Sequence, residues 1–578
     1  MKMKFITSLF GIGSPKKMGR QYMKVGRNAL FGIRPHKNGE SMCTERVPRP
    51  LTMFISKNGK LRHGRIAAIL FGLLALAIGI ILSSIPWVDY VILRQLRLWN
   101  GSLSFQYWQK PGVVRLTKVY IFNVTNAENF LNYNEKPKLQ EVGPFVYKED
   151  MEKVNIVFHD NGTVSYRHKK ILNFVPELSK DSDLEVLVPN IPLLTLSTQS
   201  KSLPRLLNFG LSMFISGLNQ KPFVPVTAQQ LVFGYDDPLV SIAHRFFPKA
   251  RRPMHQMGLL LARNGTLDEV STIFTGHTDM KQFGLINRIN GLDRLPYWEE
   301  EPCNSITASE GSFFPPREST GADVVHVYDK DLCRVLPLQY RGPVEKAGIN
   351  ADLYTPTDDV FDPPTVKTPD NECFCPDDPK SCPPKGLQNI SPCQYSAPVY
   401  LSFPHFYKAD PKLVDAVVGL NPVPELHETY FKIQPKLGVP VEGKVRVQLN
   451  LKVERQPDIN AVAQFPDIVF PIMWLEEGID ELTPAIRRWI YLSTTFADIA
   501  VPCITYGMIL VGLLVLSAIF AKAQNDIITT HEAIELGKKT IRRGSSLIIS
   551  SQNRIHVVKE SYILLNSNAE DARPIVDL

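Results

Sequence analysis

Ile66-Ala-Ala-Ile-Leu-Phe-Gly-Leu-Leu-Ala-Leu-Ala-Ile-Gly-Ile-Ile-Leu-Ser-Ser-Ile85 runs for 20 residues without a charged side chain. A helix needs roughly 20 apolar residues to cross the hydrocarbon core of a bilayer, so this run reads as a transmembrane span. It begins too deep in the chain, and its apolar core is too long, for a cleaved signal peptide; an uncleaved anchor fits. A second run, Ile499–Ala521, has 23 uncharged residues bracketed by Asp498 and Lys522. The two spans, 66–85 and 499–521, divide the 578 residues into an N-terminal tail (1–65), a large middle segment (86–498) and a C-terminal tail (522–578).

Charge orients the spans. Residues 1–65 carry 15 Lys+Arg against 2 Asp+Glu, residues 522–578 carry 8 against 7, and the remainder carries 42 against 48. Basic flanks stay on the cytosolic side, which places both tails in the cytosol and 86–498 outside it as an ectodomain. A basic tail beside a membrane is drawn to the anionic cytosolic leaflet, so no nucleic-acid partner is expected. N-x-[ST] sequons occur at Asn100, Asn123, Asn161, Asn264 and Asn389, all in the middle segment, where glycans are expected. Cys43 lies in the first tail and Cys503 in the second span. The other six cysteines (Cys303, Cys333, Cys373, Cys375, Cys382, Cys393) fall within 91 residues of the middle segment. An even set in an oxidising compartment implies a disulfide framework. The rival, a zinc site, lacks the paired CxxC knuckles it needs, and no metal is expected.

Within the middle segment, Val445-Arg-Val-Gln-Leu-Asn-Leu-Lys-Val453 alternates strictly and predicts a strand with one buried and one wet face. Lys153–His159 and Val164–His168 flank Asp160-Asn161-Gly162-Thr163, a hairpin signal, and Leu259–Ala262 leads into Asn264-Gly265 in the same way. Antiparallel β structure follows. Leu203, Leu207, Leu211, Phe214 and Leu218 recur three or four residues apart and predict an amphipathic helix. Such a helix either packs on its own domain or acts as a lid that shows its apolar face to a partner or lipid. From Pro302 to Pro404 there are 16 prolines, which predicts sparse regular structure stapled by the disulfides.

Catalytic signatures are missing: there is no G-x-S-x-G elbow, no H-E-x-x-H and no phosphate loop, and His531-Glu532 lacks its second histidine. Neither enzyme activity nor a cofactor is expected. Neither span holds an ionisable group to mark an ion path. No small-residue motif stands out in the first span, and Gly507 and Gly512 in the second are five apart, not the four of a dimerising face.

A series of distinctive strings runs along the chain: Gly143-Pro-Phe-Val-Tyr147, Phe233-Gly-Tyr-Asp-Asp-Pro238, Tyr297-Trp298, Ser312-Phe-Phe-Pro-Pro316 and Asp331-Leu-Cys-Arg334. It continues with Pro369-Asp-Asn-Glu-Cys-Phe-Cys375, Asn389-Ile-Ser-Pro-Cys393 and Pro398-Val-Tyr-Leu-Ser-Phe-Pro-His-Phe406, and ends with Gly419-Leu-Asn-Pro422 and Pro471-Ile-Met-Trp474. In these strings and in their order, over about residues 60–521, the chain resembles the class B scavenger receptor family, which includes fatty acid translocase, the high-density lipoprotein receptor, the lysosomal integral membrane protein, croquemort and the sensory neuron membrane proteins.

The resemblance implies an α+β membrane protein, in which two transmembrane helices flank a large antiparallel, β-barrel-like ectodomain with an apical helical bundle and an internal hydrophobic tunnel. It implies the pairs Cys303–Cys373, Cys333–Cys393 and Cys375–Cys382. It places the ligand-meeting apex at the helix near 203–218. There Lys201, Arg205 and Lys221 are the candidate cations, and Leu207, Leu211 and Phe214 the candidate apolar contacts. The implied function is capture of fatty acid, sterol, carotenoid or lipoprotein at the apex and passage through the tunnel to the membrane. Alternatives within the family are a lysosomal sorting receptor with a lumenal hydrolase as protein ligand, and a sensory co-receptor for apolar odorants. The first tail is longer than the family's, so residues 1–52 read as an extension ahead of an alternative start at Met53. In the second tail, Glu560, Tyr562, Leu564 and Leu565 resemble sorting signals that clathrin adaptors bind, which points to endosomes and lysosomes; without them the cell membrane is the address.

Overall fold

The computed structural model describes residues 63–248, 252, 254–375, 382–394 and 396–549; the basic tail to residue 62 and the sorting residues Glu560, Tyr562, Leu564 and Leu565 lie outside them. Two compact units form, one from the described parts of 1–71 and 515–578, the other from 72–514. In the first, Arg65 pairs with Asp526 at 2.5 Å.

The two apolar runs fold as helices His63–Ser84 and Ala497–Ile549, both long and apolar enough to cross a membrane. Within 72–514 they meet through glycine. A Cβ on Gly79 would lie 2.6 Å from Ile509 Cγ1, and one on Gly512 would lie 2.9 Å from the Gly72 carbonyl oxygen. Gly72, Ala75 and Gly79 are the buried residues of the first helix. Their spacing of three and four puts them on one face, where small side chains let two backbones approach. The second helix continues past the predicted end of the span at Ala521, because no Gly or Pro pair stops it and Glu535 can support Lys539 one turn on.

Thirteen strands form one antiparallel sheet. In chain order the strands of unit 72–514 are β1 (Val113–Val124), β2 (Leu139–His159), β3 (Thr163–Phe174), β4 (Glu185–Pro189), β5 (Phe223–Thr227), β6 (Gly265–Phe274), β7 (Ile286–Ile289), β8 (Val324–Asp329), β9 (Arg334–Lys346), β10 (Ile349–Pro356), β11 (Gln388–Asn389), β12 (Val399–Ser402), β13 (Tyr430–Gln434), β14 (Val439–Val453) and β15 (Ile468–Leu482). The sheet runs β7-β6-β3-β2-β1-β15-β14-β13-β10-β9-β8, β12 also pairing with β14, and β4 and β5 form a separate two-stranded sheet. At its centre Val119 of β1 stands opposite Phe145 of β2 and Leu475 of β15. The β2–β3 hairpin turns at Gly162, whose φ of +77° suits a residue without a Cβ.

The edge strands β7 and β8 are joined through one residue. Ser309 bridges Leu285 on one side and Val327 on the other, its N–H donating to the His326 carbonyl and its own carbonyl accepting from Tyr328. The sheet therefore closes on itself, barrel-like, without a free edge there. Aromatic side chains occupy the buried interior, among them Phe122, Phe314 and Phe470 in one apolar cluster and Trp108, Tyr166 and Phe283 in another.

Three expectations are corrected. The polar face of β14 is not wet: Arg446, Gln448 and Asn450 are buried, Arg446 on Glu476 and the carbonyls of Glu425 and Glu428, the other two on partners from the 399–405 segment. Gln448 accepts from the His405 N–H at 2.6 Å, and Asn450 donates to Ser402 Oγ at 3.0 Å. Leu259–Ala262 is not a strand. The N–H groups of Leu259 and Leu260 cap the carbonyls of Leu231 and Val232 at a helix end, and one 3₁₀ turn follows. The proline-rich stretch is regular in its first half, where β8, β9 and β10 pair in succession.

Candidate functional site

Helices cluster between 191 and 246, and their ends are written in the sequence. Asn190 caps Ile191–Gln199 by accepting from the Leu193 N–H at 3.1 Å. Thr227 and Gln230 form a capping box on Ala228–Phe233, and Asp237 accepts from Leu239 and Val240 ahead of Pro238–Phe246, with Pro238 at the first position.

The helix predicted near 203–218 spans Arg205–Gly217, and it is inside out. Its buried residues are Asn208, Ser212 and Ile215, spaced by four and three on one face. Ser212 Oγ accepts from the Asn460 N–H at 3.0 Å, and Asn208 Nδ2 donates to the Leu203 carbonyl at 3.3 Å. The opposite face is apolar and exposed: Leu206 is 81% accessible, Phe209 62% and Met213 64%, with Leu203, Leu207 and Phe214 beside them. At about 100° per residue these six cover nearly half of the circumference. Phe246 and Phe247 form a further exposed apolar group at the end of Pro238–Phe246.

The predicted stripe is thereby split. Leu203, Leu207 and Phe214 face outward, whereas Leu211 and Leu218 pack against the core cluster that holds Ile215. Leu206, Phe209 and Met213 were not among the predicted contacts. Their signal was present, since Asn208 and Ser212 are the helix's only polar residues between its first residue and Ser216, and they mark one face. Of the predicted cations, Lys201 is spent on Glu454 at 2.6 Å. The hydrogen bond from Lys201, joined by Lys452, holds the Glu454 carboxyl below its ordinary range. Arg205 and Lys221 are exposed and have no ion pair among the described residues. The surface is thus a greasy patch with two cations near it. It can hold an apolar body with an acidic group.

Elsewhere Cys303 is bonded to Cys373, Cys333 to Cys393 and Cys375 to Cys382, while Cys503 is free. Asn100, Asn161 and Asn264 are exposed. Asn123 is half-buried, its side-chain oxygen accepting from the Leu187 N–H, and Asn389 is buried, its oxygen accepting from both the N–H and the hydroxyl of Ser391.

The model of the CD36 family matches residues 69–523. Scavenger receptor class B member 1 of Bos taurus is 33% identical over 411 residues, 71% of this chain and 79% of the relative. The protein of the same name from Rattus norvegicus is 34% identical over 410 residues, 70% and 79%. Lysosome membrane protein 2 of Homo sapiens is 33% identical over 426 residues, 73% and 86%.

Proposed function

The chain belongs to the CD36 family, the class B scavenger receptors, and on that membership we propose that it is a receptor for apolar ligands: fatty acids, sterols, carotenoids or lipoprotein particles. The observation that carries the reading is the inverted helix Arg205–Gly217. A contiguous apolar patch left in water marks a place where something apolar docks. Burying Leu206, Phe209 and Met213 against a ligand stabilises the complex by about 1.5–3 kcal/mol for each side chain, before the losses of association. Exposed Arg205 and Lys221 suit a carboxylate or phosphate head.

Passage to the membrane is the second part of the proposal. Ile215 beneath the helix packs in the same apolar cluster as Val447 and Trp474 on the sheet, so these side chains must part to admit a lipid. A lipid admitted there exchanges water for apolar neighbours at about 0.8 kcal/mol per methylene, and no bond is made or broken. Both tails lie in the cytosol, and the protein resides in the cell membrane or the endosome–lysosome membrane.

The test is uptake of labelled fatty acid and cholesteryl ester by cells carrying the full chain or its L206E/F209E/M213E variant. The variant should reach the surface in equal amount, because those side chains are mostly in water, yet take up lipid only at the background rate. Uptake by the unaltered chain no greater than in cells without it would overturn the reading. The likeness to lysosome membrane protein 2 favours a second reading, in which the same patch grips a lumenal protein for sorting. Lysosomal residence abolished by L564A/L565A, with the patch needed for cargo but not for lipid, would select it.

A further inference from the structure

His405 and His427 are buried and stacked, their ring centroids 4.4 Å apart and their planes 11° from parallel. Each Nδ1 accepts from a backbone N–H of the segment 419–428, to which His427 itself belongs. His405 takes that of Asn421 at 3.0 Å, and His427 that of Val423 at 2.9 Å. A backbone N–H only donates, so each Nδ1 presents a lone pair and both rings are neutral. The other nitrogen of His405, Nε2, donates its hydrogen to Glu141 Oε2 at 2.5 Å, an oxygen that also accepts from Trp474 Nε1 at 2.8 Å. The pair leans on the apolar interior. His405 meets Phe122 edge-on at 5.4 Å and His427 meets Trp474 at 5.6 Å, both rings of the cluster against which Leu420 of the segment also packs.

A proton added to either ring goes to Nδ1. An N–H then points at an N–H, and the bond to the segment turns into a repulsion. A second charged ring at 4.4 Å would add to it. The charged groups facing the pair are Glu141 of β2 and Arg446 of β14, and Glu141 favours the charged form of His427 while Arg446 opposes it. Arg446 is itself met by Glu476 of β15 at 2.8 Å, and its Nη1 donates to the carbonyls of Glu425 and Glu428. The Glu428 carboxylate, beside His427 in the chain, is engaged by Lys408 at 2.7 Å. Burial, then the neighbouring ring, outweighs Glu141, and the His427 pKa is pushed down to about 4.

We propose that His405 and His427 form an acid-released latch: at neutral pH their lone pairs hold the segment 419–428 against the apolar interior, and on acidification the protonated rings let it go. That the opening frees a lipid rests on the proposed receptor function; the latch itself does not. Linkage sets its size. A released His427 titrates near 6.5 and the closed one near 4, so the open state binds more protons as pH falls through that window. From pH 7.5 to pH 5 this favours opening about 30-fold through His427 alone.

Amide hydrogen exchange of the full chain in detergent, read by mass spectrometry and corrected for the intrinsic effect of pH, measures the opening. Protection of peptides covering 419–428 should fall about 30-fold from pH 7.5 to pH 5, while peptides from β1 and β15 stay protected over the same exchange time. The fall should be lost in His405→Gln with His427→Gln, whose amide oxygens still accept from the segment and do not titrate. Because that chain risks misfolding, His427→Gln alone is measured beside it and should lose the 30-fold part. Unchanged protection of 419–428 in the unaltered chain, or the same fall in a folded variant, would overturn the latch. Lipid takes no part in this readout, so the latch and the receptor function can fail separately.

Discussion

Lys153 lies on β2 with no exposed surface, its ammonium 3.2 Å from Glu310 Oε1, 2.9 Å from Ser312 Oγ and 3.2 Å from the Trp108 carbonyl. Glu310 also accepts from Trp108 Nε1, the Tyr166 hydroxyl and His168 Nε2. Burial lowers the Lys153 pKa; burial opposes ionisation of Glu310 too, yet Lys153 and the bond from His168 hold that carboxyl well below its ordinary value. Glu310 follows Ser309, the residue that closes the sheet, so the pair pins the seam. Lys153→Met should therefore lower unfolding stability by about 3–5 kcal/mol, since it strands a buried carboxylate, and Lys153→Met with Glu310→Met should recover most of it. Denaturant titration of the three chains checks this; equal losses in single and double variants would refute the pairing. His427 is a second case. It stacks on His405 at 4.4 Å, and burial, then the neighbouring His405, press its pKa down to about 4. The unfolded chain protonates it near pH 6.5 and the folded one does not, so the unfolded state binds more protons between those values. Stability should fall by about 3 kcal/mol as pH drops through that window, and His427→Gln should flatten the slope.

At the scale of elements, the helix Arg205–Gly217 and strand β14 break the same rule in opposite ways. In both, polar side chains at regular spacing face inward, because distant segments offer them partners: Asn460 for Ser212, and Ser402 and His405 for Asn450 and Gln448. Periodicity revealed that a helix and a strand exist, and their faces were assigned by polarity alone. The span helices are a third case: no small-residue motif stood out in the first span, and Gly72, Ala75 and Gly79 become a contact face only beside Gly512 and Ile509. Gly512→Leu should force the helices apart and lower stability by about 1–3 kcal/mol, whereas Gly507→Leu, with nothing within 4 Å, should be silent. Thermal unfolding in detergent measures both; equal effects would argue against the close approach.

At the scale of the molecule, the disulfides Cys303–Cys373 and Cys333–Cys393 close loops of 70 and 60 residues across the proline-rich stretch, holding segments that regular pairing does not reach. The proposed topology, with residues 86–498 outside the cytosol, predicts glycans at exposed Asn100, Asn161 and Asn264, where an oligosaccharide has room. Asn389, buried and engaged by Ser391, should stay bare. Asn→Gln at each position, read as a mobility shift before and after deglycosylation, tests this; a shift on losing Asn389 would show that its surroundings open.

Two apolar runs, a clustered set of six cysteines and a chain of dispersed strings were enough to find two candidate spans, a disulfide framework and a family, because each depends on composition or on residues close in the chain. The outward face of helix Arg205–Gly217, the covered face of β14 and the partner of each buried cation were settled only by folding. Whether a polar group is buried depends on what lies opposite it, and for Ser212 that partner is 248 residues away. No local period encodes such a distance; the closed sheet brings the two together.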